Sequence, residues 1–187
     1  MSLSGRNGGA QQTMKKAKFF TYILILFLLG WPAYQIYGML NQPSHKEDAG
    51  KLLYQVSLFQ MEMLGSFLHD MDKAQDTGRL DALRQAIYTA NFTHEHLVLA
   101  YGEEEVAPLR GLSQLMQYVV RLQIGGQRPL KAEEAQTLAE VRHHYAELYE
   151  AYRKLMSPRN QIVASQNEKL AKTDKAVADL LRKKLLQ

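Results

Sequence analysis

With no cysteine in the chain, six histidines and the carboxylates are the first residues to ask about metal binding or proton transfer. His94-Glu95-His96 looks like a ligand cluster. Residues two apart on a helix point to nearly opposite sides, however, and a shared metal needs a gap of three or four. Adjacent His143 and His144 diverge in the same way. Glu140 with His143 supplies one Glu-x-x-His pair of the kind that carboxylate-bridged helical bundles use twice, and no second pair accompanies it. Phosphotransfer from His94 or His96 would require a cytoplasmic ATP-linked partner, the wrong side of the membrane for the orientation that the charge rule predicts.

Other constellations read as packing. Tyr145, Tyr149 and Tyr152 with Met156 recur at helical spacing, as a bundle core with hydroxyls at its rim would. Met61, Met63 and Met71 suit gap-filling. Asn91-Phe92-Thr93 fits a glycosylation acceptor, but within a helical pattern. No catalytic, cofactor-binding or metal-ligating residue emerges, no cofactor is implied, and the chain reads as a non-enzyme.

The elements that must hold these residues begin with an apolar run over residues 19–40, FFTYILILFLLGWPAYQIYGML. At 1.5 Å per residue a helix of that length covers roughly 33 Å, against a hydrocarbon core of about 30 Å. Trp31, Tyr34 and Tyr37 cluster in its second half, as at a membrane interface, and Pro32 is tolerable as a kink. Arg6, Lys15, Lys16 and Lys18 precede it with no acidic residue, so the positive-inside rule predicts a cytoplasmic N-terminus. No small-x-small site follows for a signal peptidase. The expectation is a disordered basic tail over 1–18, an uncleaved transmembrane signal-anchor helix over 19–40 with the lipid bilayer as its partner, and an extracytoplasmic remainder, placing the protein at the cell membrane.

The chain carries 23 basic and 19 acidic residues, a formal charge of +4. The basicity belongs to the ends. Residues 1–18 hold 4 basic groups and residues 159–187 hold 7 basic and 3 acidic, leaving 12 basic and 16 acidic between them. A body that is net acidic lacks the basic face of a nucleic-acid-binding domain.

Beyond residue 43 the pattern is helical throughout. Ser44 and Glu47 make a capping box. Leu53, Val56, Gln60, Met63, Phe67 and Met71, broadened by Leu52, Phe59, Leu64 and Leu68, read, Gln60 apart, as a core-facing stripe. Leu80, Leu83, Ile87, Ala90, Leu97 and Tyr101 mark a second helix, with Phe92, Val98 and Leu99 on other faces. Leu109, Leu112, Met116, Val119 and Val120 mark a third. Leu138, Val141, Tyr145, Leu148, Tyr152 and Leu155 form a bundle seam. Ser157-Pro158 reads as the start of a fifth helix carrying Arg182, Lys183 and Lys184 near its end. The fold class is all-α: the anchor followed by an antiparallel bundle of four to five helices. Helices are expected over 44–74, 79–101, 104–124 and 131–156, with 44–156 as the bundle and 157–187 as an amphipathic basic helix packed on it or projecting.

A basic tail, one span and a helical bundle are similar in outline to the extracytoplasmic sensor modules of bacterial chemoreceptors and histidine kinases. That resemblance implies a sensory or ligand-binding bundle. It covers architecture only and carries no residues. Apolar surplus beyond one seam favours the other reading, a membrane-anchored, non-catalytic interaction or assembly module at the cell envelope that binds a protein partner or itself.

Overall fold

The computed structural model describes residues 45–71 and 76–186, together with 27, 30, 31 and 34. Five helices make up the compact unit His45–Gln187: α1 (His45–Asp70), α2 (Leu80–Tyr101), α3 (Arg110–Gln123), α4 (Ala132–Tyr152) and α5 (Ala164–Leu185). A 3-10 turn, Thr77–Arg79, precedes α2. Each helix has two main neighbours. α1 packs on α2 and α4, α4 on α1 and α5, α5 on α4 and α3, and α3 on α5 and α2, so the five close into a ring.

Their ends are set by local chemistry. Asp76 accepts from the Gly78 N–H at 2.9 Å and starts the turn before α2; Gly102, at φ 91°, closes α2 with its N–H on the Val98 carbonyl at 2.7 Å. Glu134 accepts from the Lys131 N–H at 2.8 Å to cap α4, and the same carboxylate takes a two-pronged ion pair from Arg128. α3 lacks a cap of its own, and α5 supplies one in trans. Asp174 accepts from the Gly111 N–H at 2.8 Å, and about two turns earlier on the same face Asn167 accepts from the Ala107 N–H at 2.8 Å. α5 is therefore packed on the bundle and clamps the α2–α3 connection.

Several expectations need correction. Among the described residues no helix is long and apolar enough to cross a membrane. Each of the five described helices mixes a buried apolar line with exposed charge, unlike a span that must be apolar all round. Of residues 19–40 only Phe27, Gly30, Trp31 and Tyr34 are described, as helical and exposed; the rest of that stretch, the tail 1–18 and the Ser44–Glu47 capping box lie outside the described residues. The transmembrane anchor, the lipid partner, the single-pass topology and the cell-membrane placement are not upheld. Among the described residues, the unit His45–Gln187 is an all-α bundle of five helices.

The first and fourth helices end earlier than expected, at Asp70 and Tyr152, and two helix starts moved by several residues. The third helix begins at Arg110 rather than 104, because Gly102 turns the chain and Glu103–Glu105 form a turn that buries Val106. The fifth begins at Ala164 rather than at Pro158. Ser157 caps only a short loop, accepting from the Gln161 N–H at 3.2 Å, and Asn160 sits at φ 60°, outside helical geometry.

The seam predicted on α4 holds: Leu138, Val141, Tyr145, Leu148, Tyr152 and Leu155 are all buried. α1 differs. Its core line is Tyr54, Ser57, Met61, Leu64 and Leu68, whereas Leu52, Val56, Phe59 and Met63, expected in the core, are exposed.

Candidate functional site

Where α1, α2 and α4 meet, the core contains the molecule's most chemically suggestive group. His94 on α2 is 1% exposed. Its Nε2 lies 2.9 Å from the Ala107 carbonyl, which can only accept, so Nε2 carries the proton. Nδ1 is then the acceptor for the Tyr152 hydroxyl at 3.1 Å. Ser57 lies beside the same hydroxyl and donates to the Thr93 carbonyl at 2.9 Å. The Tyr54 hydroxyl donates to the Tyr152 carbonyl at 2.9 Å, its ring stacked on that of Tyr152. Nearby, Tyr145 donates to the Met61 carbonyl at 2.6 Å.

A serine, a tyrosine and a histidine in sequence suggest proton transfer, but their surroundings assign them to cross-linking. Burial lowers the His94 pKa to about 4, against the opposing pull of the Ala107 carbonyl, so the ring is neutral near neutral pH. Burial likewise raises the Tyr152 and Tyr145 hydroxyls, keeping both protonated. Both histidine nitrogens are committed, and Ser57 and Tyr152 have no exposed surface. The group ties α2 to α4 and to the α2–α3 connection in one fixed tautomer.

The structure separates the other candidate ligands. His96 faces outward, its ring tilted against that of Phe92 with centroids 4.2 Å apart and Nδ1 against the Phe92 carbonyl, so His94 and His96 diverge as their spacing requires. Glu140 takes a hydrogen bond from Gln136 at 3.0 Å, and His143 lies exposed beside His144. Among the described residues no group of three or more histidines and carboxylates could hold a metal ion. A cleft of about 480 Å³ is lined by Arg121, Arg128, Lys131 and Lys184 with Glu133 and Glu134. Two of those cations are occupied by the fold: Arg128 by Glu134, and Arg121 by the Lys184 and Leu185 carbonyls at the end of α5.

The outer face of the α1–α2 hairpin is the feature that sequence reading mistook for core. Ser57 bonded to Thr93 fixes the register of the two antiparallel helices. At one end, Gly50 lies so close to Tyr101 that an added Cβ would sit 2.9 Å from its ring. With that register, Leu52 is level with Leu99, Phe59 with Phe92, and Met63 with Tyr88. All six, and Val56, are exposed, from 37% at Met63 to 79% at Leu99. On a helix turning about 100° per residue they lie on the side away from the core lines of both helices. Tyr88 stacks on Phe92, which packs at a tilt against His96, along the α2 edge. The apolar surface continues past Leu99 into a cleft of about 350 Å³ with Val98, Pro108 and Leu109 in its walls.

No family model, curated protein or solved structure matches the chain. The functional reading therefore rests on this geometry. The signal for the outer face was present in the sequence as surplus: α1 has more large apolar residues than one helix face can bury. Phe92 and Leu99 were correctly placed off the core, while Val98, grouped with them, is buried.

Proposed function

We propose that the chain is a non-catalytic protein-interaction module whose working surface is the outer face of the α1–α2 hairpin. One observation carries this reading. α1 presents a complete line to its own core, and a second line, Leu52, Val56, Phe59 and Met63, to nothing within the bundle. Isolated exposed apolar residues are ordinary, but a contiguous set bounded by polar groups marks a contact surface. The spacing of four, three and four along α1 is that of a helix seam, so the surface suits a helical partner. Support for the non-catalytic part comes from the buried, fully committed state of the Ser57–Tyr152–His94 group.

Charge at the centre of this face tests the reading. Phe59→Glu combined with Phe92→Glu should leave the unfolding free energy of the dilute, dissociated chain within about 0.5 kcal/mol of wild type, because both side chains are solvent-exposed. Association, measured by sedimentation of the full chain and by cross-linking in cells, should be lost. Unchanged association would overturn the assignment of this surface.

A further inference from the structure

We infer that the partner seated on this face is a second copy of the same chain, related by a two-fold axis that crosses the hairpin at the Ser57–Thr93 level. This rests on the reading of the outer face as a docking surface and adds what docks there. The argument is the symmetry of the pattern itself. Along α1, Leu52 lies as far before the midpoint of Ser57 and Leu58 as Met63 lies after it, and Val56 and Phe59 bracket the same point. Along α2, Tyr88 and Leu99 are equidistant from the midpoint of Thr93 and His94. The Ser57–Thr93 hydrogen bond puts those two midpoints at one level.

A two-fold axis there pairs α1 with α1 and α2 with α2, each antiparallel. Leu52 of one copy then meets Met63 of the other, Val56 meets Phe59, and Tyr88 meets Leu99, while Phe92 falls opposite Glu95, whose carboxylate is held by Asn91 on its own helix at 2.7 Å. An isologous interface must be self-complementary in this way. Charge follows the same symmetry. Lys51 and Glu62, both exposed, flank the stripe on its side away from α2. A two-fold joins like flanks, which brings Lys51 of one copy within one helical turn of Glu62 of the other, twice. The area suffices. The exposed fractions of the seven side chains, each with a full surface of roughly 170–240 Å², supply on the order of 800 Å², the share each partner contributes to a standard interface.

The absence of cysteine makes the register directly measurable on the full chain. A mixture of Leu52→Cys and Met63→Cys proteins should oxidise to the mixed dimer, with Leu52→Cys alone giving little. A parallel arrangement would reverse this and overturn the inference. Lys51→Glu should weaken self-association about tenfold, and Lys51→Glu with Glu62→Lys should restore it to within about threefold. A photo-reactive benzoyl-phenylalanine replacing Phe59 separates the two levels of the argument in cells. Cross-linking to a second copy supports both. Cross-linking only to another protein overturns the second copy and leaves the docking surface standing, and cross-linking to no protein overturns both.

Discussion

Acidification should act on this bundle through two buried groups of opposite sign, and removing one should expose the other. His94 has its pKa lowered by burial from 6.5 to about 4. Between those values the unfolded chain takes up a proton that the folded chain refuses. The histidine's contribution is therefore complete above pH 6.5 and lost as pH falls towards 4, with a ceiling of about 3 kcal/mol at about 1.4 kcal/mol per unit. Asp174 behaves in reverse. Burial raises its pKa from 3.8 to about 6, against the Gly111 and Arg110 backbone donors. Here the folded state holds the proton more tightly, so its contribution is complete below 3.8 and is lost as pH rises through 6, again by about 3 kcal/mol at most. In the wild type the two slopes largely cancel between pH 4 and 6. Asp174→Asn keeps an acceptor for the Gly111 N–H and removes one slope. Urea unfolding followed by far-ultraviolet circular dichroism across this range should then show stability falling steeply with acid. His94→Gln, which retains a donor and an acceptor, should show stability rising instead. A flat profile for Asp174→Asn would refute the assignment of His94 as a neutral buried cross-link.

Gly111→Ala should destabilise the bundle by about 1–3 kcal/mol through overpacking, read as a lower urea midpoint. Its Cβ would lie 2.6 Å from Asp174 Oδ1 and 3.1 Å from both the Asp174 carbonyl and Val177 Cβ, so the α3–α5 contact must open. Tyr145→Phe should cost about 1 kcal/mol by deleting the 2.6 Å bond to the Met61 carbonyl, with no change in pH dependence, since the raised pKa of this hydroxyl keeps it protonated throughout the measurable range.

What the sequence made legible depended on how many faces of a helix were apolar. On α4 the charged residues Glu133, Glu140, Glu147 and Glu150 leave one apolar line, and every residue assigned to the seam is buried. On α1 two lines compete, and hydropathy does not rank them. Polar residues decided the matter in a direction that periodicity ignores. The true core line contains Tyr54 and Ser57, whose hydroxyls find carbonyls on α4 and α2, while Val56 and Phe59 face outward. A hydroxyl aimed at a neighbouring helix has value in the core only if an acceptor is there, which sequence spacing alone does not show. His94 was hidden for the same reason. Its apolar neighbours are compatible with burial, but the Ala107 carbonyl that makes burial tolerable belongs to a connection whose course depends on α5. The span over 19–40 was argued from length and hydropathy, and no described helix combines the two.

The buried ties and the outer surface are consequences of one another. Dispersion among leucines tolerates small slides of one helix past another, because apolar contacts are non-directional. The Ser57–Thr93 bond and the close approach of Gly50 to Tyr101 admit one register. That register brings Leu52, Phe59 and Met63 level with Leu99, Phe92 and Tyr88. A slide of a single residue would move α2 by about 1.5 Å along α1 and separate the two midpoints on which a common two-fold axis depends. The polar core residues thus specify the geometry of a surface they do not touch, and selection on that surface would act on Ser57 and Gly50 as strongly as on Phe59 and Phe92.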